Sequence, residues 1–160
     1  MPINGEAISG LLGAIIGAVI TWFTAYSSNK TQREIAKQAE KTQDRNTLDG
    51  LILRMIEFAM EYPYLERDGF PSSYPNCLGH QHCKERYETY CCFVFNTLQF
   101  MFNHFDGNRQ AIESYYHIRE TIRLHHVWWK HDRENLEYDE PFRQYIQSII
   151  DELRKRGEIQ

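Results

Sequence analysis

Between Ala7 and Ala25 no side chain carries a charge, and this run constrains the chain more than any other feature. It reads Ala-Ile-Ser-Gly-Leu-Leu-Gly-Ala-Ile-Ile-Gly-Ala-Val-Ile-Thr-Trp-Phe-Thr-Ala. As a helix rising ~1.5 Å per residue it spans roughly 28 Å, close to the ~30 Å hydrocarbon core of a bilayer. A cleaved signal peptide is the rival reading. That reading wants a basic start, a shorter apolar core and a small-x-small cleavage site. Here the only ionisable side chain before the run is Glu6, and Phe-Thr-Ala-Tyr-Ser-Ser is a poor cleavage site. Residues 1–26 are therefore expected to be a transmembrane anchor in contact with membrane lipid.

Flanking cations orient such a span. No basic side chain precedes it, whereas Lys30, Arg33, Lys37, Lys41 and Arg45 follow. The expected arrangement is a single pass through the inner (plasma) membrane, with the N-terminus outside and the C-terminal part in the cytosol. Trp22 and Tyr26 would then lie at the inner headgroup layer. Gly13 and Gly17 are four apart, and Gly10, Ala14 and Ala18 extend the small-residue stripe. Such stripes let helices approach closely in lipid, so a homo-oligomer is expected.

The rest of the chain is polar and rich in aromatic residues, with ten Tyr, nine Phe and three Trp. That composition belongs to a folded domain and not to a disordered tail. A net charge of -4 gives no global footprint for duplex nucleic acid. Residues 27–46 are good helix formers without Pro or Gly and read as a solvated helical stalk. Residues 47–160 read as a helical bundle. One helix is expected from Thr47 to Tyr62, with Leu48, Leu51, Ile52, Met55, Ala59 and Tyr62 on its apolar face. Pro63 ends it, and a breaker-rich loop follows.

The next helix runs from Lys84 to Phe105 and is stopped by Asp106-Gly107-Asn108. Another is expected from Arg109 to Arg133, with Ile112, Tyr115, Tyr116, Ile122 and Trp129 inward. The last begins after Asp139, a capping residue, with Pro141 in its first turn and Gly157 past its end. No segment alternates with period two. The expected fold is all-α: a transmembrane helix, a stalk, then an antiparallel bundle of about four helices.

Enzyme templates fail. There is no phosphate-binding glycine loop, no Gly-x-Ser-x-Gly elbow and no His-Glu-x-x-His. No catalytic residue, no cofactor and no metal site is assigned. Cys77, His80, His82 and Cys83 have the ligand chemistry for zinc, but the spacing is not that of a finger or ribbon. A loop of reduced thiols is the preferred reading, because a cytosolic location disfavours disulfides.

A second cluster mixes cations with flat aromatic faces, between Arg119 and Arg133. Phosphates are bound by Arg and Lys, and bases by stacking. Arg119, Arg123, His126, Trp128 and Lys130 are the expected ligand-binding residues. Against this stands the ordinary role of such rings as core, and of Arg119 as one half of a pair with Glu57, Glu61 or Glu88.

The layout of one N-terminal span, a polar stalk, Tyr62-Pro63-Tyr64-Leu65, then Trp128 or Trp129 and Pro141-Phe142-Arg143, resembles small single-pass bacterial membrane proteins. Their cytosolic helical domains have no known function, so the resemblance implies topology alone. In architecture the chain is also similar to the ancillary membrane effectors of type III CRISPR systems, which sense cyclic oligoadenylate. That resemblance implies a membrane-anchored sensor or effector of prokaryotic antiviral defence, with a cyclic oligonucleotide as ligand. A membrane-tethered scaffold that binds protein and no small ligand is the alternative; an exposed apolar patch would favour it.

Overall fold

Helix α1 runs without interruption from Gly5 to Glu61. The computed structural model describes residues 5–73, 82–131 and 137–159, with the side chains of 5–25, 27, 30, 31 and 131 left outside that description. The stalk helix and the helix expected to start at Thr47 are thus one element. No proline stands in this stretch, and Gly50 sits in the helix with open space around it. Among the described residues no helix is long and apolar enough to cross a membrane. The side chains of Ala7–Ala25, on which the expected anchor rests, lie outside those residues.

By contacts the chain divides into two units, Met1–Asp44 and Arg45–Gln160. In the first, the described side chains are solvent-exposed apart from Asp44. The second holds the core. All its described elements are helical, in the order α1 (its last turns), a 3₁₀ turn Pro63–Glu66, α2 Phe70–Ser73, α3 Cys83–His104, α4 Arg109–Tyr115, α5 Ile118–His131 and α6 Glu140–Lys155. No strand occurs among the described residues.

Helices α3 and α6 form where their apolar spacing predicts them. On α3, Tyr87, Cys91, Val94, Leu98 and Met101 are all buried. On α6, Phe142, Tyr145, Ile146, Ile149, Ile150 and Leu153 are buried. Gly107, at φ 70°, lets the chain turn after α3, and the Asn108 side chain accepts from the Ala111 amide 3.1 Å away to start α4. Asp139 occupies the capping position of α6 without capping it: its Oδ2 accepts instead from Gln99 Nε2 on α3.

The helix expected over Arg109–Arg133 is two helices. Tyr116 is fully extended at φ -145°, ψ 146°, and the Ile118 amide donates back to the Tyr116 carbonyl. No glycine or proline marks the break. Its effect is to reset the helical phase. A continuous helix with Ile112 inward would turn Arg119, Arg123 and His126 inward as well. After the break, Ile118, Ile122, His125 and Trp129 face the core, with Leu124 and Trp128 beside them.

Phe95 on α3 is the centre of that core. Its ring stacks on Trp128 (5.2 Å, 20°) and on Trp129 (4.7 Å, 30°), and Trp129 meets Phe142 of α6 edge-on. Aromatic pairs of this kind add ~0.5–1.5 kcal/mol each beyond the area they bury.

Candidate functional site

The face of α5 turned away from the core carries Arg123, His126, Val127 and Lys130, spaced by three, four and seven residues as one helical face requires. These four line a cavity of about 510 Å³, closed on its other sides by the Asp68–Ser72 turn and by Glu158 and Ile159. Arg123 is held in place by carboxylates. Its Nη2 donates to Asp68 Oδ1 (2.9 Å) and to Glu120 Oε1 (2.7 Å), and its Nε donates to Glu120 Oε2 (2.9 Å). The hydrogen bond to Glu120, then that to Asp68, pushes the guanidinium pKa up.

His126 is half-buried and donates from Nδ1 to the Arg123 carbonyl, 2.7 Å away. That bond sets the tautomer and leaves Nε2 unprotonated. Burial lowers its pKa, the backbone bond opposes this, and Lys130, Arg154 and Arg123 lower it further. Lys130 is lowered too, first by burial and then by Arg154. The cavity therefore brings two cations, Arg123 and Lys130, and two carboxylates, Asp68 and Glu158, around the His126 imidazole.

Two of the five expected ligand-binding residues stand elsewhere. Trp128 is completely buried and stacked on Phe95, so it has no face open to a base. Arg119 does not reach inward. Its Nη1 donates to Glu152 Oε2 at 2.8 Å, and Arg109 grips both oxygens of the same carboxylate at 2.6 and 2.7 Å while its Nε donates to Glu113. The partner of Arg119 is thus Glu152, with Glu113 at 3.9 Å, and not Glu57, Glu61 or Glu88. Arg109 first, then Arg119, holds Glu152 down to a pKa of about 2.

A buried polar chain escaped the sequence reading. His125 is completely buried. Its Nε2 lies 3.1 Å from Glu66 Oε1 and its Nδ1 lies 2.9 Å from the Tyr87 hydroxyl. Facing a carboxylate, Nε2 carries the proton, and Nδ1 accepts from Tyr87. The Tyr90 hydroxyl donates to the same Glu66 oxygen. Burial alone would raise the Glu66 pKa, but the His125 and Tyr90 bonds outweigh it and hold the carboxyl below its usual range. Glu66 and His125 are 59 positions apart, and no local motif connects them.

Of the four residues weighed as zinc ligands, Cys77 and His80 lie outside the described residues. His82, exposed, donates from Nδ1 to Glu85 Oε2 at 2.8 Å. Cys83 is disulfide-bonded, contrary to the expected reduced thiol. A sulfur in a disulfide is no thiolate ligand. That expectation followed from an assumed compartment and not from geometry. Cys91 and Cys92 remain thiols outside any disulfide. Among the described residues no group of three His, Cys, Asp or Glu is arranged for a metal ion.

Acid titration tests the Arg109–Glu152–Arg119 network. A carboxylate whose folded pKa is depressed from 4.5 to about 2 contributes stability that is fully present above 4.5 and lost as pH falls toward 2. Glu152→Gln is expected to cost about 1 kcal/mol at pH 7, the scale of a partly exposed ion network after solvent screening. The difference from the parent chain should shrink below pH 4.5 in chemical denaturation. A gap independent of pH would show that the charge contributes nothing.

Comparison with known protein families, with curated proteins and with solved structures returned no match to this chain.

Proposed function

We propose that this chain is a membrane-anchored sensor or effector whose Arg45–Gln160 unit binds a phosphate-bearing anion, with cyclic oligonucleotides as the candidate class. One observation carries the reading: Arg123, His126 and Lys130 converge on one cavity of about 510 Å³, in the field of Arg154 as well. Arginine and lysine make charge-assisted, short hydrogen bonds to phosphate oxygens. Asp68 and Glu120 pre-orient the Arg123 fork before a ligand arrives. Among the described residues the cavity wall carries no Trp, Tyr or Phe, so the reading rests on phosphate contacts and no longer on a base stacked on Trp128. The link to antiviral defence rests on the architectural resemblance alone.

The uncharged run Ala7–Ala25 supports the single-pass anchor, and its Gly/Ala stripe supports self-association. The cations after Tyr26 support a cytosolic location for the bundle. The disulfide at Cys83 is the chemistry of an oxidising compartment and weighs for the other face. Labelling intact cells with an impermeant maleimide, on a chain carrying Gln160→Cys, separates the two. Protection is expected; labelling before lysis would move the bundle outside.

A protein-binding scaffold remains the second reading because Leu53, Ile56 and Met60 of α1 are exposed at 59%, 49% and 75%, on one face.

Calorimetry of the full chain against cyclic oligonucleotides and inorganic phosphate decides between them. Binding is expected for a phosphate-bearing ligand and should weaken with salt. Lys130→Ala should lose at least tenfold in affinity, about 1.4 kcal/mol. An anion next to His126 raises its basicity, so affinity should grow as pH falls below 6.5. Lys130 is exposed, so its loss reports on ligand and not on folding. If no member of the panel binds, or Lys130→Ala binds as well as the parent, the anion site is wrong and the scaffold stands.

A further inference from the structure

A second cavity, of about 520 Å³, opens on the opposite chemistry. Met55, Ile56 and Met60 from the end of α1 make one apolar wall, and Tyr90 of α3 and Tyr116 at the break between α4 and α5 border the other side. Among the described residues a single charged group, Glu66, lines this space. Both of its hydrogen bonds, from Tyr90 and from His125, fall on Oε1; Oε2 makes none among the described residues. The carboxylate is therefore fixed from behind by the buried Tyr87–His125 pair, with one oxygen left for the cavity. A pocket of a few hundred cubic ångströms with apolar walls and one oriented polar group is the usual form of a small-molecule site.

We infer that this groove is a binding site for an organic cation with an apolar body, an aliphatic or aromatic amine, whose charge pairs with Glu66 Oε2 while its body lies on Met55, Ile56 and Met60. Charge complementarity selects that occupant. An anion would meet the Glu66 carboxylate, and a neutral apolar molecule would leave that carboxylate desolvated without a partner. A cation gains a charge-assisted bond to that carboxylate. The site is separate from the cation-lined cavity on α5 and does not depend on what binds there.

Three probes of one shape isolate the charge: 4-phenylbutylamine, 4-phenylbutanol and 4-phenylbutyrate. The chain contains four methionines, so methyl-labelled methionine gives a sparse NMR spectrum of the full-length protein in zwitterionic nanodiscs. Met55 and Met60 report on the groove, and buried Met101 on α3 serves as the internal reference. The amine should shift the Met55 and Met60 methyl signals with at least tenfold tighter binding than the alcohol, while the acid shifts neither. Glu66→Gln should bring the amine to the level of the alcohol. Should Glu66→Gln fail to fold, Met60→Lys, at a 75% exposed position, supplies an internal cation and should abolish the amine response with Met101 unmoved. Equal binding of amine and alcohol to the parent chain overturns the assignment, as does undiminished preference for the amine in either variant.

Discussion

The stacking of Phe95 against Trp128 and Trp129 sets the rotation of α5, and the rotation of α5 sets which of its side chains face outward. Two indoles and one phenyl ring are among the largest apolar surfaces the chain has to hide. Once they are inward, residues about half a turn away cannot be. Arg123, His126, Val127 and Lys130 are forced to the opposite side, where they line one cavity. The outward placement of these side chains is thus a consequence of core packing. It needs no separate structural device beyond the extended residue Tyr116, which lets α4 bury Ile112 and α5 bury Ile118 without a common phase.

Polar groups near the core are handled in two ways. The Arg109–Glu152–Arg119 cluster keeps a carboxylate between two guanidiniums at a partly exposed helix junction, where solvent still screens it. The Tyr87–His125–Glu66–Tyr90 chain is different. A completely buried imidazole is satisfied at both nitrogens: Tyr87 donates to His125, and His125 and Tyr90 donate to one carboxylate. Such a chain defines a direction, from the core outward to Glu66. An apolar cavity ends on that carboxylate.

The helices α3 and α6 were legible because their apolar residues recur at helical spacing and their ends carry local signals, Asp106-Gly107-Asn108 for one and Pro141 and Gly157 for the other. The apolar face of α1 near Leu48 and Met55 was legible for the same reason. The break at Tyr116 was not. It has no Pro or Gly, and only the tertiary demand to bury both Ile112 and Ile118 produces it. That one omission propagated: it turned Arg119 inward in the sequence reading and left Trp128 available as a stacking platform. Arg123, His126 and Lys130 of the five expected residues line one cavity because they share a face of α5 whatever its rotation. The Glu66–His125 contact lay beyond reach, since it joins a 3₁₀ turn to a helix 59 positions later.

The central claim is that α5 divides into a sealed aromatic face and an open cationic one. Tryptophan fluorescence measures this directly. The chain has three tryptophans, and Trp22→Phe leaves only Trp128 and Trp129. With both 3% exposed or less, the native emission should be blue-shifted and nearly untouched by acrylamide, and quenching should appear only when denaturant unfolds the bundle. Red-shifted emission quenched equally well before and after unfolding would contradict the account, because it would place an indole of α5 in the solvent where the cations are said to be.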